Sequence, residues 1–139
     1  MRIKSDPSTD PSAYSFAHDV RVRFAETDAM GIVHHASYLP YLEETRVAYL
    51  RSIDHDYVSV RASGVNFAVI EVAMKYIRPC YFDDVITVRL KLHSVTRATF
   101  QIAYLLTVGD EPRVTAVTAH GGVDAEGRPT RLPQWLTEV

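Results

Sequence analysis

The chain contains one cysteine, Cys80, so no disulfide can close within it. A lone thiol suits a reducing compartment, and a cytoplasmic protein is expected. No apolar run approaches the roughly 20 residues that a membrane-spanning helix needs. The first residues, MRIKSDPSTDPSAYS, lack the apolar stretch of a signal peptide. Neither charge sign dominates: 15 Lys and Arg stand against 17 Asp and Glu, a net charge of −2. That balance gives no electrostatic case for nucleic acid or anionic lipid as the main partner. G-x-S-x-G is absent, which removes a serine nucleophile elbow. G-x-x-x-x-G-K-[ST] is absent too, which removes a phosphate-cradling loop. Internal repeats and low-complexity tracts are also missing.

What is present is ordinary globular composition, 47% apolar and 23% charged, over 139 residues. One domain is expected at this length. Ser, Asp, Pro and Thr crowd residues 1–12, which read as a loose tail, leaving 13–139 as the domain. Val20, Val22 and Phe24 alternate with Arg21 and Arg23 as in a strand. From Ser37 to Ile53 the period becomes helical, with Leu39, Leu42, Arg46, Tyr49, Leu50 and Ile53 forming a broad stripe. Pro40 is tolerated only in the first turn, so this helix starts between His35 and Leu39. Residues 54–64 form a polar connector with room for one short helical turn, closed by Gly64.

The period then switches to two. From Val85 to Val95, Ile86, Val88, Leu90 and Leu92 alternate with Thr87, Arg89, Lys91 and His93. Phe100, Ile102, Tyr104, Leu106 and Val108 repeat the pattern after a turn at Thr96-Arg97. Residues 67–77 precede them as another strand, and 114–122 follow the turn Gly109-Asp110-Glu111-Pro112. The expected class is α+β: one long helix against a curved antiparallel sheet of about five strands.

Chemistry concentrates between Arg23 and Arg46, RFAETDAMGIVHHASYLPYLEETR. Asp28 follows the first strand, Gly31 permits a tight turn, and His34-His35 lead into the helix. The free N–H groups at a helix start can hold a developing oxyanion while a nearby acid attacks or activates water. Each residue also has a structural reading. Asp28 could be a turn or capping residue, and Ser37 a helix cap. His35 could be a buried structural histidine. Glu43 and Arg46, three apart on one helix, read as a salt bridge. The histidines show no metal-ligand spacing, and no metal is expected.

Thr27-Asp28, Gly31, Val33, His35, Ser37-Tyr38, Glu43 and Arg46 stand at a spacing that resembles the hydroxybenzoyl-coenzyme A and Tol–Pal-associated thioesterases. These belong to the hotdog-fold superfamily. The similarity extends more weakly over Tyr76-Ile77-Arg78-Pro79 with Asp83-Asp84, and over Val123-Asp124, Gly127-Arg128-Pro129 and Arg131-Leu132-Pro133. His34 departs from the tyrosine that many relatives carry. The resemblance implies an acyl-coenzyme A thioesterase that uses no cofactor, coenzyme A being part of the substrate. Asp28 would act as nucleophile or general base, with the N–H near His35 as oxyanion donor and the His35 ring orienting carbonyl or water. Gly31, His34, Ser37 and Tyr38 would line the substrate site. It also implies a homodimer or homotetramer whose sites lie between subunits, with residues around Asn66 to Ile70 of the second subunit, Asn66 and Phe67 among them, as the opposite wall. Coenzyme A phosphates call for basic groups, and Arg97, Arg128 and Arg131 are the candidates. A non-catalytic acyl-thioester sensor is the rival reading, since fold alone does not settle function. A thioesterase for carrier-protein-bound acyl chains is another, and would favour a basic collar including Arg89, Lys91 and Arg97.

Overall fold

The computed structural model describes residues 2–4 and 6–139. Its elements are β1 (Phe16–Arg21), α1 (Tyr38–Ser52), α2 (Tyr57–Ala62), β2 (Asn66–Tyr76), β3 (Val85–Val95), β4 (Thr99–Val108) and β5 (Glu111–Val123). The strands form one antiparallel sheet in the order β1-β3-β4-β5-β2. The expected helix, connector turn and strands are all present, and the architecture is the α+β arrangement read from the periodicity.

The first strand lies earlier than the alternation suggested. It ends at Arg21, and Phe24 sits in a 3-10 turn (Phe24–Glu26) at 75% exposure, edge-on to Phe82. The reason lies in Glu26, whose carboxylate takes the Arg23 amide at 2.8 Å and folds the chain back there. Pro40 falls in the first turn of α1, where its missing N–H costs nothing.

One face of the sheet carries Ile86, Val88 and Leu90, then Phe100, Ile102, Tyr104 and Leu106, then Val114 and Ala116. Tyr38, Tyr41, Leu42 and Leu50 of α1 pack on it. Leu42, Ile86, Val88 and Leu90 are fully buried, each contributing about 1.5–3 kcal/mol by removal from water. In β2 the register slips between Val69 and Glu71, so Ile70 is an extra residue that interrupts the alternation.

Arg46 does not pair with Glu43; among the described residues no ion pair joins them. It points into the core, 8% exposed, and donates to the Tyr104 hydroxyl at 3.2 Å. Tyr104 shares a hydrogen bond with Thr118 at 2.7 Å, and Thr118 with His120 at 2.8 Å. A buried hydroxyl facing the helix needs a partner, and the long Arg46 side chain supplies it. His120 stacks on Phe100 at 4.7 Å. Burial, reinforced by the Arg46 charge, pushes its pKa down to about 3.

The outer face of the sheet carries the buried Leu105, Ala103, Val117 and Ala119. The described residues of the segment expected to be a loose tail lie across it. Gln101 donates to the Arg2 carbonyl at 3.2 Å, the Glu71 carboxylate accepts from Arg2 N–H at 2.9 Å, and the Tyr14 ring lies under Lys91.

β2 is an edge strand, and among the described residues no strand pairs along its free side. Val69, Ile70, Val72, Tyr76 and Ile77 there are 38% to 51% exposed.

His120 gives a pH prediction. The folded state keeps it neutral while the unfolded chain protonates it near 6.5, so stability present above that pH is lost progressively as pH falls toward 3. The expected slope from this group is about 1.4 kcal/mol per pH unit. In chemical denaturation across that range, His120→Gln should remove this part of the slope; an unchanged slope would exclude His120 as its source.

Candidate active site

The acid loop is a short pinched turn. Gly31 N–H donates to the Asp28 carbonyl at 3.0 Å, and Asp28 N–H to the Ile32 carbonyl at 2.8 Å. Gly31 has φ of +80°, the left-handed region that a side chain disfavours. The half-buried Asp28 carboxylate closes the turn from inside, Oδ1 accepting from Met30 N–H at 2.8 Å and Ile32 N–H at 3.4 Å. Both bonds fall on Oδ1, which leaves Oδ2 without a partner among the described residues. Asp28 is thus both the turn residue of one reading and a carboxylate with a free oxygen, as the other requires.

The turn is pinned to a second segment. Val33 N–H donates to the Cys80 carbonyl at 2.8 Å, and Ile32 bridges Tyr81. His34 N–H donates to Glu26, so the chain enters α1 under constraint from both sides. Burial opposes ionisation of Glu26, yet the Arg23 amide and the Tyr41 hydroxyl (2.7 Å) bond to its carboxylate and hold its pKa below the usual range. The cap at this helix start is His34, whose Nδ1 accepts from Ala36 N–H at 3.3 Å and opens a 3-10 turn (His35–Ser37) running into α1. Ser37 precedes α1 but makes no side-chain cap bond. The His35 amide donates to no acceptor among the described residues.

Asp28, His35 and Tyr38 meet in one cleft of about 330 Å³. Its far wall comes from the end of β2 and the residues after it: Tyr76, Ile77, Arg78 and Pro79. Ile32 and Val33 complete the lining. Tyr76 leans on Tyr38 at 5.6 Å between ring centres and donates to the His35 carbonyl at 3.4 Å. Burial pushes the Tyr38 hydroxyl well above its ordinary pKa, so it stays neutral; Cys80 behind it is raised for the same reason and is an inert thiol. The cleft is therefore mainly apolar and aromatic, with Asp28, His35 and Arg78 as its ionisable residues.

The other candidates lie elsewhere. His34 is spent on its cap and is not part of the lining. Phe67 is buried, edge-on to Phe100 and Tyr57, and Asn66 is beside it at the opposite end of β2. Ten residue steps at about 3.3 Å place that end roughly 33 Å from the cleft in the same chain. Arg97, Arg128 and Arg131 are exposed there as a group: Leu132 N–H donates to the Arg97 carbonyl, and Thr130 N–H to Gly122. Gly122 permits this, because a Cβ there would come within 2.8 Å of the Thr130 carbonyl.

Sequence reasoning did not single out the Tyr76–Pro79 wall as part of the site, although Tyr-x-Arg-Pro belonged to the weaker resemblance. It also missed Arg113, which holds that wall. Arg113 donates to the Pro79 carbonyl at 2.6 Å, and its own carbonyl accepts from Ile77 and Arg78 N–H. Its guanidinium lies 3.6 Å from Asp84 and 2.7 Å from Glu111, the latter a close ion pair out of line for a hydrogen bond. Among the described residues no group of three His, Cys, Asp or Glu converges to hold a metal, and no helix is long and apolar enough to cross a membrane.

Fold and site together define a hotdog domain with a carboxylate at the start of its central helix. The family model of the thioesterase-like superfamily matches residues 22–139, and the chain belongs to that superfamily. A crystal structure of an Aquifex aeolicus protein superposes with a TM-score of 0.85 at 35% identity, covering 89% of this chain and 98% of that one. The chain is 28% identical over 131 residues to a 1,4-dihydroxy-2-naphthoyl-CoA hydrolase of Nostoc punctiforme, covering 88% of this chain and 86% of the relative. A Thermus thermophilus thioesterase complexed with coenzyme A and zinc superposes with a TM-score of 0.78 at 25% identity, over 90% of this chain and 96% of that one.

Arg113→Ala removes the donor to the Pro79 carbonyl, which lies on an exposed segment, and should cost about 0.5–1.5 kcal/mol of stability. Hydrogen exchange should quicken at the Val33 and Ile77 amides more than within α1, and Arg113→Lys should restore part of it. Uniform quickening across the chain would mean that Arg113 does not pin this wall in particular.

Proposed function

We propose that the protein hydrolyses acyl-coenzyme A thioesters, with Asp28 as its working carboxylate. The observation that carries this reading is the presence, at one apolar cleft, of the Asp28 carboxylate and the unpartnered His35 amide. The thioester carbonyl would lie in the cleft with its oxygen at the His35 N–H. That donor and the dipole at the helix start stabilise the negative charge that grows on the oxygen. Asp28 Oδ2 either attacks the carbonyl carbon or takes a proton from the attacking water. In the first route the C–S bond breaks, thiolate leaves, and water hydrolyses the aspartyl anhydride. In the second, water adds directly and the thiolate leaves from the tetrahedral adduct. A thiol has a pKa of about 8.5, so its thiolate leaves without a strong general acid. The His35 ring lines the same cleft and orients the carbonyl or the water.

The names of relatives support coenzyme A as the carrier: one is a naphthoyl-CoA hydrolase, and another is a thioesterase complexed with coenzyme A. Two residues of the collar that a carrier protein would favour, Arg89 and Lys91, lie away from the cleft. Arg89 donates to Thr107 at 2.7 Å, and Lys91 lies 5.6 Å over the Tyr14 ring, both on the sheet's other face. A carboxylate with a free oxygen in the same cleft as the start of the helix favours hydrolysis over a sensor's binding role. The single buried cysteine fits action in the cytoplasm.

The working unit is a dimer, or a pair of dimers, joined along β2. An edge strand carrying exposed Val, Ile and Tyr is an unfinished surface. Pairing two β2 edges antiparallel about a two-fold axis finishes both. That operation also brings the Asn66 end of one subunit to the Tyr76 end of the other. Arg97, Arg128 and Arg131 then reach the coenzyme A phosphates across the subunit boundary, while Arg78 serves from the cleft's own chain.

Asp28→Asn should lower kcat by about a hundred- to ten-thousand-fold with the fold retained, in a thiol-release assay over aromatic and aliphatic acyl-coenzyme A esters. Near wild-type turnover on the best ester would refute the mechanism.

The shared site is tested by mixing. A variant with Arg97, Arg128 and Arg131 all changed to Ala should show a raised KM for coenzyme A esters and little change for a pantetheine ester. Refolded together with Asp28→Asn, it should recover low-KM turnover, since each heterodimer regains one intact site. No recovery, despite mixed dimers, would place those arginines outside a shared site.

A further inference from the structure

The two groups that the proposed reaction needs come from separate segments, and among the described residues no hydrogen bond joins them. Asp28 stands in the turn 28–31, and the His35 amide stands at the 3-10 turn that leads into α1. Thr27 and Val33 bridge the two ends of the loop between them. That bridge fixes the shape of the loop but not its seat on the helix. A displacement of one ångström between reacting groups can cost about a hundredfold in rate, so whatever seats the loop bears on turnover.

Glu26 provides that seat. Its side chain is only 13% exposed, and each carboxylate oxygen accepts two hydrogen bonds. Oε1 accepts from the Arg23 amide at 2.8 Å and from the Tyr41 hydroxyl at 2.7 Å. Oε2 accepts from the Arg23 guanidinium, through Nε at 3.0 Å and Nη2 at 2.9 Å. The main-chain carbonyl of Glu26 takes the His34 N–H at 2.8 Å. One residue thus serves both arms of the site: it stands two positions before Asp28 and is bonded to the residue before His35. Tyr41 is buried in the first turn of α1. Among the described residues, its bond to Glu26 is the one hydrogen bond between residues 24–33 and that helix.

We propose that Glu26 is a positioning residue, which through Tyr41 sets the Asp28 carboxylate at its working distance from the His35 amide. This rests on the reading of Asp28 and that amide as the working pair. Burial opposes a charge on Glu26, but the donors on its two oxygens outweigh burial and hold the carboxylate ionised. An ionised acceptor makes stronger bonds than a neutral one, and with both oxygens engaged its orientation is fixed. Without the Tyr41 hydroxyl the carboxylate would bond to Arg23 alone, inside its own turn, and the loop would lose its tie to the helix. The opposite wall, Tyr76 to Pro79, is held separately by Arg113 and would stay in place for the substrate. The cost therefore falls on kcat and spares KM.

The test begins with Tyr41→Phe, which removes one hydroxyl and keeps the ring edge-on to Tyr38. It should lower kcat for acyl-coenzyme A esters about ten- to a hundredfold, with KM within about twofold of wild type. Glu26→Ala should lose at least as much, and adding Tyr41→Phe to it should cost nothing further, because the two residues act as one link. Glu26→Gln keeps an oxygen for Tyr41 and the Arg23 amide, and should recover part of the loss. Hydrogen exchange in Tyr41→Phe should quicken at the bonded Asp28 and His34 amides and stay unchanged in β3. Exchange does not depend on the chemistry, so it decides the positioning role even if Asp28→Asn stays active and the mechanism falls. Unchanged exchange at those amides would overturn the proposal. So would additive losses in the double variant, a loss carried by KM, or an unchanged kcat in Tyr41→Phe beside an inactive Asp28→Asn.

Discussion

A five-stranded sheet has two faces and two edges, and this chain has one long helix with which to cover them. That shortage organises the structure. The inner face takes α1, because the stripe from Tyr38 to Leu50 is wide enough to bury Ile86, Val88, Leu90 and their neighbours. The outer face, equally buried at Leu105 and Val117, is closed by chain that precedes the family's own segment. The free edge of β2 pairs with no strand among the described residues, and Val69, Ile70, Val72 and Tyr76 are exposed there.

The geometry of the cleft follows from how the helix enters this arrangement. Residues 24–37 must pass from the end of β1 to the start of α1 in a short span. They do so through successive tight turns, each closed by a backbone or side-chain bond. Asp28 is held by its own turn, and the turn is held by Cys80 and Tyr81. The wall opposite is held in turn by Arg113. These bonds fix the positions of the Asp28 carboxylate and of the chain that enters α1 at His35. Beneath it, Arg46, Tyr104, Thr118 and His120 tie α1 to the sheet centre by a buried polar chain. An unpaired guanidinium there would be costly, so the chain fixes how the helix seats on the sheet.

Much of this was legible in the residues. Alternation over 85–95 marked β3 to the residue, and the apolar stripe with Pro40 near its start marked α1 to within a residue or two. Asp28, Gly31 and His35 stood out because acid, turn and helix start are chemically meaningful only together. Three things were not legible. Phe24 continued an apolar alternation but turned outward, since a capping carboxylate at Glu26 outweighed the strand pattern. Glu43 and Arg46 had salt-bridge spacing, yet Arg46 went to Tyr104, a hydroxyl 58 residues away that local spacing cannot reveal. His34 looked like a wall residue and proved to be a cap, because its ring nitrogen lies over the Ala36 amide.

By itself the sequence determined what depends on neighbours along the chain: where the period is 3.6 or 2, where proline and glycine force a boundary, and which acid stands before the helix. Tertiary structure alone decided what depends on distant segments arriving together. It put the Tyr76–Pro79 wall opposite Asp28 and set Arg113 behind it. It gathered Arg97, Arg128 and Arg131 at the far end of β2 instead of beside the cleft. It also laid the polar N-terminal residues across a sheet face that their composition gave no reason to seek. The physical reason is the same in each case. Periodicity and turn chemistry are local free energies that one stretch of chain carries alone. Burial of a face, an edge or a carbonyl is satisfied by whichever segment the fold delivers to it.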